Sequence, residues 1–596
     1  MANRADEGLG PERDQPLVYL AETLPLPAIG PDQPDPRGPA DQAAAANGRA
    51  GADGSARRKD VGLARIARGG ALNLGGALVS AIASLALTVI VTHSFSRAVA
   101  GAFFVAMSLF LIVEAIANLG AYNGAIYFIA RLRALHAERR IPAIMRATII
   151  PVVISSIIGG TAVIVFADPL ARLLLDGRNA DGVDPAVVAS ALRVLAIGLP
   201  FAALTDTLLG AARGYHEMRP TVFIDRIGRT GLQTAGVVVA AMAGASAFLA
   251  PAWALPYIGA CVLATFWMRR IIRSHRRDLA PVSPNGRAAA AADPAALDNK
   301  HGKPNAKGFW RFTAPRSLAS VAQIVIQRLD IVLVGIMRGP VEAAVYTAAT
   351  RFLVAGQLGN AAISMSAQPQ FTKLFAIGDR AGANSVYQVT TGWLILLTWP
   401  LYLLAAIFGP SVLAIFGRTY HAGSTVMLIL ALSMLVATAC GQVDMVLITT
   451  GRSSWSLYNG LLAMVVNVGV DIALIPHYGI TGAAIGWAAA IGVTNLMPLV
   501  QVAIAARVHP FGPGTAAACL LTTVSFAVIP LAARAAAGTS AVISLAAVVT
   551  GCAVMAAGLF WLREPLQLSV IPWPAMLRRR AAKPVAPVAP EPGSSH

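Results

Sequence analysis

From about residue 70 onward the chain is a succession of long apolar stretches separated by short polar turns. Stretches near 70–93, 102–126, 143–167, 186–212, 221–242 and 246–268 come first. A basic, Ala/Pro-rich segment interrupts the series at about 269–307. The series resumes near 314–337, 344–367, 385–408, 424–450, 455–475, 480–506, 515–537 and 540–562. Each is long enough to cross a bilayer, which takes about 17–25 residues of helix. The pattern predicts an all-α polytopic membrane protein of about fourteen transmembrane helices. Residues 1 to about 56, rich in Pro, Ala, Asp and Gly, have no apolar period. Such a segment cannot bury a core and reads as a disordered cytosolic tail.

Charge supports the same count. With the N-terminus in the cytoplasm, the inside segments hold Arg57 to Arg68, Arg131 to Arg146, Arg213, Arg219, Arg269 to Lys307, Lys373, Arg380, Arg452, Arg507 and Arg578 to Lys583. The outside loops hold only Arg97, Arg172, Arg178, Arg338, Arg418 and Arg534. Roughly thirty basic residues against six is a strong positive-inside bias. The alternation survives every turn, so it predicts an even number of spans and both termini in the cytoplasm. A multi-pass protein of the cell inner or plasma membrane is expected.

The chain also repeats itself. Residues from Ser94 to about Leu132 align with those from Ile336 to about Leu374, at an offset of about 242, placing Phe104 on Tyr346. DTLLGAARG from Asp206 aligns with DMVLITTGR from Asp444 at an offset of about 238. Two matches at nearly one offset predict two parallel six-helix lobes, with two C-terminal helices outside the repeat. Parallel repeats of this kind occur in transporters that hold their cargo between the halves. The expected organisation is a basic tail (1–68), an N-lobe (69–268), a basic cytosolic linker (269–308), a C-lobe (309–507), two further helices (508–563) and a basic, Pro-rich tail (564–596).

Composition narrows the function. Only 13% of the 596 residues are charged and 56% are hydrophobic, against roughly 25% charged in an ordinary globular protein. That excludes a soluble enzyme. There is no GxxxxGK[ST], so no Walker-type nucleotide site. Cys261, Cys440, Cys519 and Cys552 lie in apolar runs without a CxxC and read as small buried hydrophobes. No metal site, cofactor or catalytic residue is expected, and no nucleic-acid partner. The basic tails suit anionic membrane lipids.

Several stretches carry a family resemblance. SRAVAGAFFVAMSLFLIV resembles the start of the second span of polysaccharide exporters, with Ala100-Gly101 in place of the usual Tyr-Gly. Asp330 and Gly335 resemble the D-x-x-x-x-G of the seventh span, and VYTAATRF with Pro369 the eighth. NVGVDIALIPHYGITGAAIGWAAA at 467–490 resembles the junction of spans eleven and twelve. There, Pro476 to Gly479 read as a short outside turn, and Gly482 and Gly486 as a helix-packing face. The chain thus resembles the multidrug/oligosaccharidyl-lipid/polysaccharide exporter superfamily, in its polysaccharide-transporter branch, which includes O-antigen-type flippases and is related to lipid II flippases. The resemblance implies a flippase for a lipid-diphosphate-linked oligosaccharide, working by alternating access on an ion gradient or membrane potential. It also implies contact with other proteins of cell-envelope polysaccharide assembly. A multidrug/cation antiporter of the same superfamily is an alternative, although twelve spans are more usual there. A membrane glycosyltransferase or polymerase fits less well, because the one long outside loop (168–185) has no catalytic pattern. A scaffold that recruits partners through its tails is a further alternative.

Ionisable groups within spans are costly and therefore candidates for function. Arg351 and Arg328 suit a phosphate or diphosphate, or else are neutralised by internal carboxylates. Asp206 and Asp444, at equivalent repeat positions, suit ion coupling or paired gates. Glu114 stands opposite Gly356 in the repeat and suits proton or cation binding, and Asp330 joins the same set. Asp471 reads as structural, and Asp225 with Arg229 as a pair snorkelling to water at a span's end. Gln323, Gln327, Gln357, Gln368 and Gln370 line a hydrated cavity or bond between helices, and Gln357 is the one closest to Arg351 in sequence.

Overall fold

The computed structural model describes residues 72–135, 137–175, 183–278, 306–538 and 540–567. Among these residues the chain is helical throughout, without strands. The first half comprises α1 (Leu72–Ser94), α2 (Arg97–Asn118), α3 (Ala121–Ala134), α4 (Ile141–Val165), α5 (Ala167–Leu175), α6 (Pro185–Gly214), α7 (Thr230–Met242) and α8 (Leu249–Asp278). A π-helical turn, Thr221–Arg229, leads into α7. The second half comprises α9 (Ala306–Arg338), α10 (Pro340–Thr350), α11 (Phe352–Ala376), α12 (Arg380–Ile407), α13 (Ser424–Ala439), α14 (Val443–Thr449), α15 (Ser453–Tyr478) and α16 (Ile480–Ala505). The helices α17 (Pro513–Thr523), α18 (Ile529–Ala537) and α19 (Ala541–Trp561) follow.

Twelve helices among the described residues are long and apolar enough to cross a membrane. The expected count of about fourteen is not reached by that measure. Two helical runs fall short of it, at 221–242 and 340–376. The first carries Asp225, Arg226 and Arg229, and the second Arg351, Gln357, Asn360 and Gln368.

Three apolar cores organise the bundle. The largest joins both halves, from Val91, Phe104 and Leu199 to Val334, Tyr346, Tyr402 and Ala483. One of its tight points is between Gly101 of α2 and Pro340 of α10, where a Cβ on Gly101 would stand 1.7 Å from the Pro340 carbonyl oxygen. At the opposite end, which the charge bias assigns to the cytosol, the cores are separate. One gathers Phe128, Ile144, Leu209, Met268 and Phe309, and the other Phe371, Tyr387, Val446 and Val502. The halves share one core at one end and divide toward the other.

α9 takes part in both halves. Its first turns sit in the first half, with Phe309 buried beside Phe128 and the Trp310 indole Nε1 donating to the Ala147 carbonyl at 3.2 Å. Its far end packs on α2, α10 and α15. α8 continues well past residue 269, because Met268 and Ile271 remain buried in the same core. The expectations for residues 1–68, for the linker over 279–305 and for the tail from 568 lie outside the described residues.

The junction of α15 and α16 is tighter than expected. Pro476 lies within α15, and Gly479 alone makes the turn, at φ 56° and ψ −137°. Glycine tolerates such a backbone because it has no Cβ. All four cysteines are free thiols; Cys261 and Cys440 are buried, whereas Cys552 is exposed.

Candidate functional site

The two arginines lie on consecutive helices of the second half. Arg328 is in α9, and Arg351 is the single residue joining α10 to α11, with only 9% of its surface exposed. The Arg351 Nε donates to the Thr347 carbonyl at 3.2 Å. The ion pairs described are Arg133–Glu138, Arg193–Asp168, Arg229–Asp225 and Arg338–Glu342. Among the described residues, no carboxylate reaches Arg328 or Arg351 within ion-pair distance. Arg328 and Asp330 are the charged groups that act on Arg351. The two guanidinium groups thus repel each other in a largely dehydrated setting.

Asp330 is 2% exposed and already occupied. It accepts from the Tyr346 hydroxyl and, at 2.9 Å, from the Ile331 backbone N–H. Tyr346 sits one helix on, at the position the repeat aligns with Phe104. The charge of Asp330 also reaches Asp471 of α15. Asp471 and Asn467 are fully buried and share one bond, from Asn467 Nδ2 to Asp471 Oδ2 at 3.2 Å. The remaining side-chain oxygen of each, Asp471 Oδ1 and Asn467 Oδ1, has no partner. Gly486 of α16 makes the space, since a Cβ there would fall 1.9 Å from Asp471 Oδ1. Asn467 and Asp471 at i,i+4 in an apolar run were the signal that sequence reasoning read as structural.

The first half holds a second polar cluster. Arg229 donates to Asp225 Oδ1 from Nε at 2.7 Å, and to the Gln233 Oε1 at 2.9 Å and the Tyr257 hydroxyl at 3.3 Å from NH1. Gln233 in turn donates to the Trp253 carbonyl at 2.8 Å. Arg229 therefore does not snorkel to water. The π-helical turn widens the helix here, a feature often found at functional positions. Gln233, one turn further on the same face as Asp225 and Arg229, was the signal for this cluster. Asp206, Arg229 and Asp225 all act electrostatically on Glu114. The Glu114 Oε1 has no hydrogen-bond partner. Asp225 is the carboxylate paired with Arg229, and Glu114 and Asp206 lie within electrostatic reach of that pair.

The repeat-related residues differ. Asp206 belongs to this cluster, whereas Asp444 is exposed and accepts from the Ser456 hydroxyl at 2.5 Å. Gly356, opposite Glu114 in the repeat, leaves room for the Tyr402 hydroxyl, which would lie 1.7 Å from a Cβ. Gln357 is exposed on the adjoining face of α11. Arg193 is at the periphery, 2.5 Å from Asp168. Chemically, the arginines can take an anion, and the two carboxylate clusters can take a proton or a small cation.

The MatE family model matches residues 315–473, from α9 through most of α15. Among the solved structures that share the fold, two serve as comparisons. One is an inward-facing multidrug resistance MATE family transporter of the MOP superfamily, at 16% identity and a TM-score of 0.53, covering 73% of this chain and 98% of that one. The other is the lipid II flippase MurJ in an inward closed conformation, at 14% identity and a TM-score of 0.61, covering 83% and 99%. No curated protein matches the chain in sequence.

Proposed function

We propose that the chain is a multi-pass membrane transporter of the MOP superfamily that flips a lipid-diphosphate-linked oligosaccharide, a polysaccharide precursor, across the cytoplasmic membrane. The observation that carries this reading is the Arg328–Arg351 pair. A buried and a half-buried guanidinium group, neither with a carboxylate partner among the described residues, call for an anion, and a guanidinium fork suits phosphate oxygens bidentately. Gln357, next along the chain toward the cytosolic end, faces the sugar. The halves, joined at one end and divided at the other, favour loading from the cytosol and release by rocking.

The coupling ion is assigned to the carboxylate clusters. Glu114 and Asp206 exchange a proton or cation against Arg229 in the first half, and Asp330 does so with Asp471 and Tyr346 in the second. Asp444 lacks such neighbours and acts as a gate. Both termini and the linker face the cytosol, and the basic tails meet anionic lipids and other polysaccharide-assembly proteins there.

A multidrug/cation antiporter has one observation in its favour, the surplus of carboxylates around Arg229. Against it, an organic cation would meet two unpaired guanidinium groups. Deleting the gene and identifying the accumulated lipids by mass spectrometry separates the two. A lipid-linked oligosaccharide held on the cytosolic leaflet is the expected result. Normal lipid-linked sugars with raised sensitivity to cationic drugs would overturn the flippase reading.

A further inference from the structure

The sequence left two roles open for the glutamines of α9 and α11, and their surroundings separate them. Gln357 and Gln368 are exposed, Gln323 is exposed, and Gln327 is half-buried. None of the four side chains has a hydrogen-bond partner among the described residues, although neighbouring Ser, Thr and Asn side chains do. They are not pins between helices.

On α11 the polar positions are ordered. Gln357, Asn360, Ser364 and Gln368 fall at intervals of three to four residues and so form one line along the helix. The line spans about 16 Å at 1.5 Å per residue. The side next to the line, with Leu353, Gly356, Ile363, Ala367 and Phe371, is buried. That side packs on α12 and α14. Gln442 holds the middle of the line through its side chains. Its Nε2 donates to Asn360 Oδ1 at 2.5 Å, and its Oε1 accepts from the Ser364 hydroxyl at 2.7 Å. Gln370 lies on another side of the helix.

Free primary amides do not face lipid at this depth, because unsatisfied polar groups there cost several kcal/mol each. They face water or cargo. The stretch is also electrically neutral: no charged residue occurs between Arg351 and Lys373, or between Arg316 and Arg328. An acidic sugar would meet no counter-charge along it, whereas hydroxyl and N-acetyl groups would find both donors and acceptors.

We infer that the α11 amide line, with Gln323 and Gln327 of α9, is the glycan-recognition surface, and that the glycan is an uncharged one rich in hydroxyl or acetamido groups. This rests on the flippase reading, with Arg328 and Arg351 holding the diphosphate. The amides supply what the arginines cannot, discrimination among sugars.

The test uses the purified full chain in nanodiscs and three probes. These are a bare polyprenyl diphosphate, the same lipid carrying a neutral acetamido-sugar oligosaccharide, and the same lipid carrying a uronic-acid oligosaccharide. The neutral glycolipid is expected to bind at least tenfold tighter than the bare lipid. In the Gln357→Leu/Gln368→Leu double variant that advantage is lost, while bare-lipid affinity and melting temperature stay as in the parent. Both changes remove amides without protein partners, so folding is retained. A double variant that keeps the tenfold advantage overturns the inference, as does tighter binding of the uronic-acid probe by the parent chain. Failure of the parent chain to bind even the bare diphosphate overturns the flippase reading itself.

Discussion

Replacing Arg351 with alanine separates an anion-binding arginine from a structural one. In the fold, the side chain gives one bond, to the Thr347 carbonyl at 3.2 Å. That carbonyl also accepts from the Thr350 hydroxyl at 2.9 Å, so the substitution orphans no acceptor. It also removes repulsion from Arg328. The stability change is therefore expected to stay within about 1 kcal/mol, chiefly from lost packing of the aliphatic stem. Binding should suffer far more. Two charge-assisted bonds to phosphate, at about 1.5 kcal/mol or more each, amount to about 3 kcal/mol. At about 1.4 kcal/mol per tenfold, affinity for a polyprenyl diphosphate should fall about a hundredfold or more. Arg351→Lys keeps the charge but loses the fork, and should fall between. Melting of the detergent-solubilised protein and lipid binding in nanodiscs measure the two quantities. A structural arginine would give the reverse pattern: a loss of about 3–5 kcal/mol from a carboxylate left unpaired. Asp330 is the carboxylate in question. Strong destabilisation by Arg351→Ala, with stability and transport both restored by adding Asp330→Asn, would refute the reasoning.

Arg229→Ala should contrast with Arg351→Ala, since it strips Asp225, Gln233 and Tyr257 of their common partner. A stability loss of about 3–5 kcal/mol is expected, read as a lower melting temperature. Gly101→Leu places a side chain where even a Cβ would overlap the Pro340 carbonyl. It should force the seam between α2 and α10 apart, seen as a longer spin-label distance between these helices; an unchanged distance would show that the seam yields elsewhere. Cysteines introduced singly at Ala180 and Ala290, in a cysteine-free background, should label from opposite faces with an impermeant reagent. Labelling of position 290 from outside would overturn the span count.

Much of this was legible in the sequence because apolar length and charge alternation are coarse signals that survive local error. The succession of membrane-length helices follows from them. Partners were not legible. Arg229 looked like a surface ion pair because Asp225 is four residues away, and nothing in the chain announces Tyr257, 28 residues on. The repeat suggested equal roles for Asp206 and Asp444, but symmetry of the backbone does not carry over to neighbours. Asp206 has Asp225 and Arg229 beside it, and Asp444 has Ser456. Pro476 suggested a break that the helix absorbs, leaving Gly479 to turn the chain. Whether the glutamines were bonded across helices depended on what their amides reach, which no spacing rule specifies.

The placement of α9 has a consequence for how the chain could be divided. Its start is sunk into the core of the first half, with Phe309 buried, while its far end belongs to the second. It works as a stitch across the boundary that the repeat would draw. Two fragments made by severing the chain between α8 and α9 would therefore not be independent bodies. The second would carry a helix whose first turns are apolar and unclothed until the first fragment covers them. Co-expressed, the pieces should find each other without a covalent link; expressed alone, the second should be the one that chaperones and proteases remove.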